Sequence, residues 1–400
     1  MKKGVLFFTI FLFFRIVGGQ SVSDYLLKAQ SYIKENNPGK AVEILSEAIG
    51  QKDDYRLFLL RGEAHVLNGK LSEAISDFNS ANKKNPHSGD YALSRAYALK
   101  GDLSTSLYHL ELSMNSDFKK DEKDILLDKA FIRMENKPEW RQFWKKEWYT
   151  ELERNLSEVE FYLKSLKPEN AVEILSRLEK EFPGNEDVKY AGALMNFYSR
   201  NYASSIKGLS ELLSVSPDNE PYLRLLARAQ TEASNPSGAS ATYTLLIKGE
   251  VADPDLFIRR AECYRKTGEN EKALADVEKY LSFYPSDKSA LRLAGKIEAA
   301  SGDNLKALRY FSENLKLHPN DPECYLDRGN SYLSSKSWDW AVKDFSMALD
   351  LDPADSNTWL LKGIALIGYG KTEDACHDLK KSMSLGNKRA SEYISKHCIR

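Results

Sequence analysis

The densest group of metal-capable side chains is the C-terminal stretch "ACHDLKKSMSLGNKRASEYISKHC", which holds Cys376, His377, His397 and Cys398. Two cysteines and two histidines form a common zinc donor set. Adjacent residues on a helix point about 100° apart, however, so each Cys–His pair chelates a single ion poorly. The other histidines, His65, His87, His109 and His318, are scattered. No G-x-S-x-G, H-E-x-x-H, phosphate-binding or dinucleotide-binding loop occurs, and the many carboxylate pairs are those of solvated helix surfaces. These residues argue for neither an enzyme nor a cofactor.

A second group offers recognition rather than catalysis. In "KPEWRQFWKKEWY", Trp140, Trp144 and Trp148 recur every fourth residue, with Phe143 beside them. On a helix they share one stripe. Each ring buries about 150–250 Å², enough to fill a widened gap between helices. The same stripe would also serve as a platform for a peptide or sugar ring, or as a partner surface. No clear helix breaker stands between Pro138 and Pro168, so residues 139–166 run as one long helix or turn near Thr150.

The elements that position these groups follow from the rest of the chain. Its 400 residues are 42% hydrophobic and 29% charged, with a formal net charge of −1. That composition folds, and it lacks the basic excess of a nucleic-acid binder. Four cysteines do not make a disulfide scaffold. At the start, Lys2 and Lys3 precede "GVLFFTIFLFF", Arg15 ends the run, and "IVGGQS" follows. This is the pattern of a secretory signal over residues 1–19, cut after Gly19. The alternative, a membrane anchor, needs about 20 apolar residues, and no cysteine follows for lipidation. The expected location is outside the cytoplasm, in a periplasm or at the periphery of an outer membrane.

The mature chain repeats. "FIRRAECYRKTGENEKALADVEKYLSFYPSD", "LRLAGKIEAASGDNLKALRYFSENLKLHPND" and "YLDRGNSYLSSKSWDWAVKDFSMALDLDPAD" align without gaps at a period of 34. Each carries a small residue early (Ala261, Gly295, Gly329), an alanine later (Ala273, Ala307, Ala341), a large residue four beyond it (Val277, Phe311, Phe345), and a closing proline (Pro285, Pro319, Pro353). The spacing predicts two short amphipathic helices per unit that approach over the small residue and stop at the proline. One pair cannot bury its apolar face alone; stacked neighbours can.

This pattern resembles the tetratricopeptide repeat. Units begin near 22, 55, 87, 120, 152, 186, 220, 254, 288, 322 and 356, so the resemblance spans nearly the whole mature chain. It implies an all-α, right-handed superhelical solenoid of about eleven helix–turn–helix units with a C-terminal capping helix. The fourth unit departs from the pattern, dividing the chain into an N-terminal arm, 20–150, and a C-terminal arm, 151–398. The resemblance further implies a concave groove, lined by first helices, that binds protein or peptide. Read along the groove-facing positions of units six to nine, the sequence gives Tyr190 and Phe197, then Arg224, Arg228, Arg265, Arg292 and Lys296. Such a stripe suits an extended chain with acidic or carboxylate groups. Leu326, Leu360, Ile364 and Ile367 continue it as apolar residues. The family's chaperone-tail clamp is not implied, because Leu361 stands where an asparagine is required. Cys376 falls on the second helix of the last unit and Cys398 on a terminal helix that folds back over it. A disulfide is then the simplest arrangement, with zinc and free thiols as alternatives. Cys263 and Cys324, two units apart, are expected as buried thiols. The ending is similar to that of exported repeat proteins common in Bacteroidetes. The implied role is a non-catalytic scaffold in envelope assembly or secretion, in association with an outer-membrane complex. A glycan- or peptidoglycan-binding module using the tryptophan stripe is the alternative.

Overall fold

The computed structural model describes residues 21–165 and 167–398; the expected signal segment, 1–19, lies outside them. The described residues form 23 α-helices, one short 3-10 helix and no strand. None of these helices is long and apolar enough to cross a membrane. The chain divides into two compact units, the first ending at Trp140 and the second beginning at Arg141.

The first unit holds three helix pairs: α1 (Val22–Lys34) with α2 (Pro38–Ile49), α3 (Tyr55–Leu67) with α4 (Leu71–Lys84), and α5 (Asp90–Lys100) with α6 (Leu103–Met114). At the fourth place stand only α7 (Glu122–Leu126), the 3-10 helix Lys129–Phe131 and α8 (Pro138–Phe143), which straddles the division. The second unit is regular. It comprises α9 (Glu151–Lys164) with α10 (Pro168–Glu181), α11 (Glu186–Tyr198) with α12 (Tyr202–Val215), α13 (Glu220–Glu232) with α14 (Pro236–Lys248), and α15 (Asp255–Lys266) with α16 (Asn270–Leu281). Then come α17 (Lys288–Ala300) with α18 (Asn304–Leu317), α19 (Pro322–Ser334) with α20 (Trp338–Leu351), α21 (Ser356–Gly368) with α22 (Thr372–Ser384), and the terminal α23 (Ala390–His397). Ten complete pairs therefore accompany one degenerate unit.

Local chemistry sets these boundaries. Asn and Asp side chains accept from exposed N–H groups at many helix starts, among them Asn185, Asn219, Asp287 and Asp321. Between the helices of a pair, the chain reverses through a left-handed residue. At Gly302 (φ 86°) the turn closes with Asp303 N donating to Glu298 O at 3.0 Å. Arg200, Ser234 and Lys336 make the same turn at φ 60°, 57° and 59°, with side chains that favour it less.

The small-to-large pairing expected from the sequence holds each unit together. A Cβ placed on Gly295 would lie 2.5 Å from the Phe311 ring, and one on Gly329 would lie 2.7 Å from Phe345. Beside it runs an ion pair that the sequence reading did not anticipate. Arg61 meets Asp77 at 2.6 Å, Arg260 meets Asp276 at 2.7 Å, Arg328 meets Asp344 at 2.7 Å, and Lys362 meets Asp378 at 3.2 Å. In each case the carboxylate is buried and belongs to the second helix of the same unit.

The tryptophans do not share a helical stripe. α8 ends at Phe143, and Thr150 starts α9 with a reciprocal cap to Glu153, so the chain turns between them. Trp140, on α8, is 4% exposed and stacks on Phe131 at 5.3 Å. Trp144 and Trp148 follow the end of α8, half-buried around Phe143, whose ring lies 4.5 Å from that of Trp148. Trp148 Nε1 donates to Phe143 O at 2.8 Å.

At the far end, Cys376 and Cys398 are joined in a disulfide, which uses both sulfurs and removes the zinc arrangement. Cys263 and Cys324 are buried thiols. Burial pushes both thiols up, Cys324 to about 11.

Candidate interaction face

The face begins where α9, α11 and α13 lie side by side. Tyr190 and Phe197 share one face of α11, as expected for residues seven apart. Phe197 is 9% exposed and packs in the core of the second unit together with Leu194 and Tyr222. Tyr190 is half-buried, with its ring 5.2 Å from Tyr222. Burial, then the nearby Glu160 carboxylate, pushes its hydroxyl above the ordinary range. Tyr198 and Tyr202 pack edge-on or tilted against Phe197. Arg228 lies over Phe197 from α13, its guanidinium carbon 4.7 Å from the ring centre, and is itself exposed.

Farther along, the basic stripe is largely neutralised from within. Arg224 bonds Glu220 at 2.8 Å and Asp253 at 2.5 Å. Arg292 reaches Glu323 at 2.6 Å, and its guanidinium lies 2.5 Å from the buried Asp327. Lys296 stands 3.8 Å from the same carboxylate. Burial raises the Asp327 carboxyl against the opposing pull of Lys296 and Arg292. Three of the five cations on the stripe thus have carboxylate partners. Arg228 and Arg265 are exposed and have no carboxylate partner among the described residues.

The missed carboxylates lie on the next unit, 29 to 35 residues downstream of the arginines they meet. A period-34 alignment places Glu323 and Asp327 on the neighbouring first helix and Asp253 just before it, which was the available signal. The apolar continuation is also occupied. Leu360, Ile364 and Ile367 pack under α23 with Leu379, Tyr393 and Ile394.

This geometry can hold a side chain or a backbone segment between a rigid aromatic cluster and two arginine forks. Among the described residues no group of three or more His, Cys, Asp or Glu side chains is placed to hold a metal ion.

Residues 26–89 and 292–356 match the family pattern described as tetratricopeptide repeat. Among curated proteins, DnaJ homolog subfamily C member 3 of Gallus gallus is 22% identical over 284 residues, 67% of this chain and 54% of that protein. The chain thus spans about half the length of the curated relative it matches. Among solved structures, the C-terminal part of a TPR repeat-containing protein from Cytophaga hutchinsonii overlays with a TM-score of 0.52 at 15% identity, covering 59% of this chain and 98% of that one. A tetratricopeptide repeat protein from Parabacteroides merdae gives 0.45 at 19% identity, covering 61% and 97%. Residues 26–89 and 292–356 are thus similar to tetratricopeptide repeats, and the described residues share with the Cytophaga structure the fold of tandem helix–turn–helix pairs.

Proposed function

We propose that the protein is a non-catalytic scaffold, exported to a periplasm or the periphery of an outer membrane, that holds a protein or peptide partner on the first-helix face of α11, α13 and α15. The observation that carries this reading is Arg228, exposed and stacked on Phe197 within a tyrosine-rich cluster, with Arg265 equally uncommitted on the next unit. Rigid aromatic area and arginine are the residue types that dominate binding energy at protein interfaces. The two free forks favour a partner segment with at least one carboxylate, and the apolar, basic-led start of the sequence supports export. A role in envelope assembly or secretion follows from that location.

The test is affinity purification of the mature chain from native membranes, with mass spectrometry of what co-elutes and a glycan array run in parallel. A protein partner whose binding is lost on Arg228→Glu supports the proposal. Retention of a glycan alone, with no protein partner at native salt, overturns it.

A further inference from the structure

A cavity of about 410 Å³ opens in the first unit, between the loop that joins α4 to α5 and the loop that follows α6. That volume lies within the range of about 300–1,000 Å³ usual for small-molecule sites. Its walls, however, are mostly polar. Asn85, Pro86 and His87 come from the first loop, and Asn115, Asp117 and Phe118 from the second.

Both loops are fixed by bonds of their own. Gly89 lies so close to α4 that a Cβ there would be 2.4 Å from Phe78 O. Its N–H donates to Asn82 Oδ1 at 2.6 Å, and Asn82 Nδ2 donates to Asp90 at 2.8 Å. Asp90 is 2% exposed and accepts Nδ1–H bonds from His87 at 2.8 Å and His109 at 2.9 Å. Burial works to raise the Asp90 carboxyl, but the bonds from His109, His87 and Asn82 hold it below its ordinary range. This network keeps His87 at φ 67°, a left-handed conformation that a residue with a side chain adopts at a cost. In the second loop, Ser116 Oγ donates to Ser113 O at 2.8 Å and accepts from Phe118 N at 3.1 Å. The groups these loops present are uncommitted. The Asn85 amide, the Asp117 carboxylate, Asn115 Oδ1 and His87 Nε2 have no hydrogen-bond partner among the described residues. With Asp90 holding Nδ1–H, Nε2 accepts when the ring is neutral and donates when it is protonated. Beside them stands the half-buried Phe118 ring, packed edge-on with Tyr55 at 6.4 Å between centres.

We propose that this cavity binds a neutral sugar ring, with Asn85, His87, Asn115 and Asp117 bonding its hydroxyls and Phe118 against its C–H face. A hydroxyl is both donor and acceptor, so a ring bearing several of them matches this mixed set of amides, imidazole and carboxylate. The C–H face of the same ring matches an aromatic side chain. The Asp117 charge disfavours an anion. One free carboxylate does not make a metal site, and no group of three His, Cys, Asp or Glu is placed for one among the described residues. The site uses none of the tryptophans and shares no residue with the face on α11, α13 and α15, so the two readings stand or fall separately.

The test is NMR of the histidine rings of the mature chain, titrated with glucose, N-acetylglucosamine and their β-linked disaccharides, with glucose 6-phosphate and calcium ion as comparisons. The His87 signals are assigned by their loss in His87→Asn, since asparagine tolerates the left-handed turn. A neutral sugar at millimolar concentration should shift the His87 signals and leave those of His318, His377 and His397 in place. Asn85→Ala with Asp117→Ala should bind the same sugar at least tenfold more weakly by calorimetry. Asp117→Ala alone, at an exposed position, should weaken binding at an unchanged melting temperature. Failure of every neutral sugar to shift His87, or undiminished binding in both variants, overturns the proposal. Tighter binding of glucose 6-phosphate or calcium than of any neutral sugar overturns the ligand class.

Discussion

The pair Arg328–Asp344 makes a severe test of how each unit is fixed. Asp344 is 4% exposed, and two parallel bonds of 2.7 Å join its oxygens to the guanidinium across the two helices of the unit. Replacing Arg328 with methionine keeps most of the side-chain volume but strands a buried carboxylate. Breaking such a pair from one side costs about 3–5 kcal/mol. Arg328 is partly exposed, with 22% of its side chain accessible, so water relieves some of the penalty and about 2–3 kcal/mol remains. Replacing both residues, Arg328→Met with Asp344→Leu, removes the charge problem and should cost under about 1 kcal/mol, since apolar substitution of buried pairs is often neutral. The assay is urea unfolding of the four proteins of the double-mutant cycle, with hydrogen exchange of α19 and α20 to confirm that the local pair is what responds. A coupling energy of about 1.5 kcal/mol or more is expected. A single Arg328→Met variant as stable as the parent, or a double variant worse than either single, would refute the reasoning.

Other outcomes follow from individual sites. Arg200→Gly should stabilise by about 0.5–1 kcal/mol, because arginine is strained in the left-handed turn between α11 and α12; a lower melting temperature would count against it. Trp140→Ala should destabilise the first unit by about 3–5 kcal/mol, read as loss of exchange protection in α5 and α6. Asp321 is held below its ordinary range first by the hydrogen bond from Lys288. Its contribution is therefore present above the unfolded carboxylate range and lost as pH falls through the depressed folded value. Asp321→Asn should flatten the acid limb of a stability–pH curve below about pH 4, and an unchanged limb would remove this role.

Much of this architecture was legible before any coordinates. A period of 34, a small residue facing a large one, and prolines at unit ends define helix pairs because each reports a local steric demand. The Gly295–Phe311 and Gly329–Phe345 contacts are that demand seen in space. The disulfide was legible too, since a second helix and a helix folding back on it bring Cys376 and Cys398 together. The charge state of the face was not. Arg224 and Arg292 read as members of a basic stripe across successive first helices, and their partners Asp253, Glu323 and Asp327 appear only when the next unit is laid alongside. The tryptophan motif misled for a related reason. Fourfold spacing is a stripe only if the helix persists, and here α8 stops at Phe143 while Thr150 opens α9. Helical periodicity carries no information about where a chain without proline or glycine chooses to stop. The capping box at Thr150 and Glu153 was the available cue.

The central claim is that Arg228 and Arg265 face the partner while Arg224 and Arg292 serve the fold. Its most direct test is a binding titration of one peptide, selected from a random display library on the mature chain, against Arg228→Glu with Arg265→Glu and, separately, Arg224→Gln with Arg292→Gln. The first variant should bind at least tenfold more weakly at an unchanged melting temperature, with the loss shrinking as salt rises. The second should melt lower and, where folded, bind within about twofold of the parent. Full affinity in the first variant, or loss confined to the second, would contradict the account.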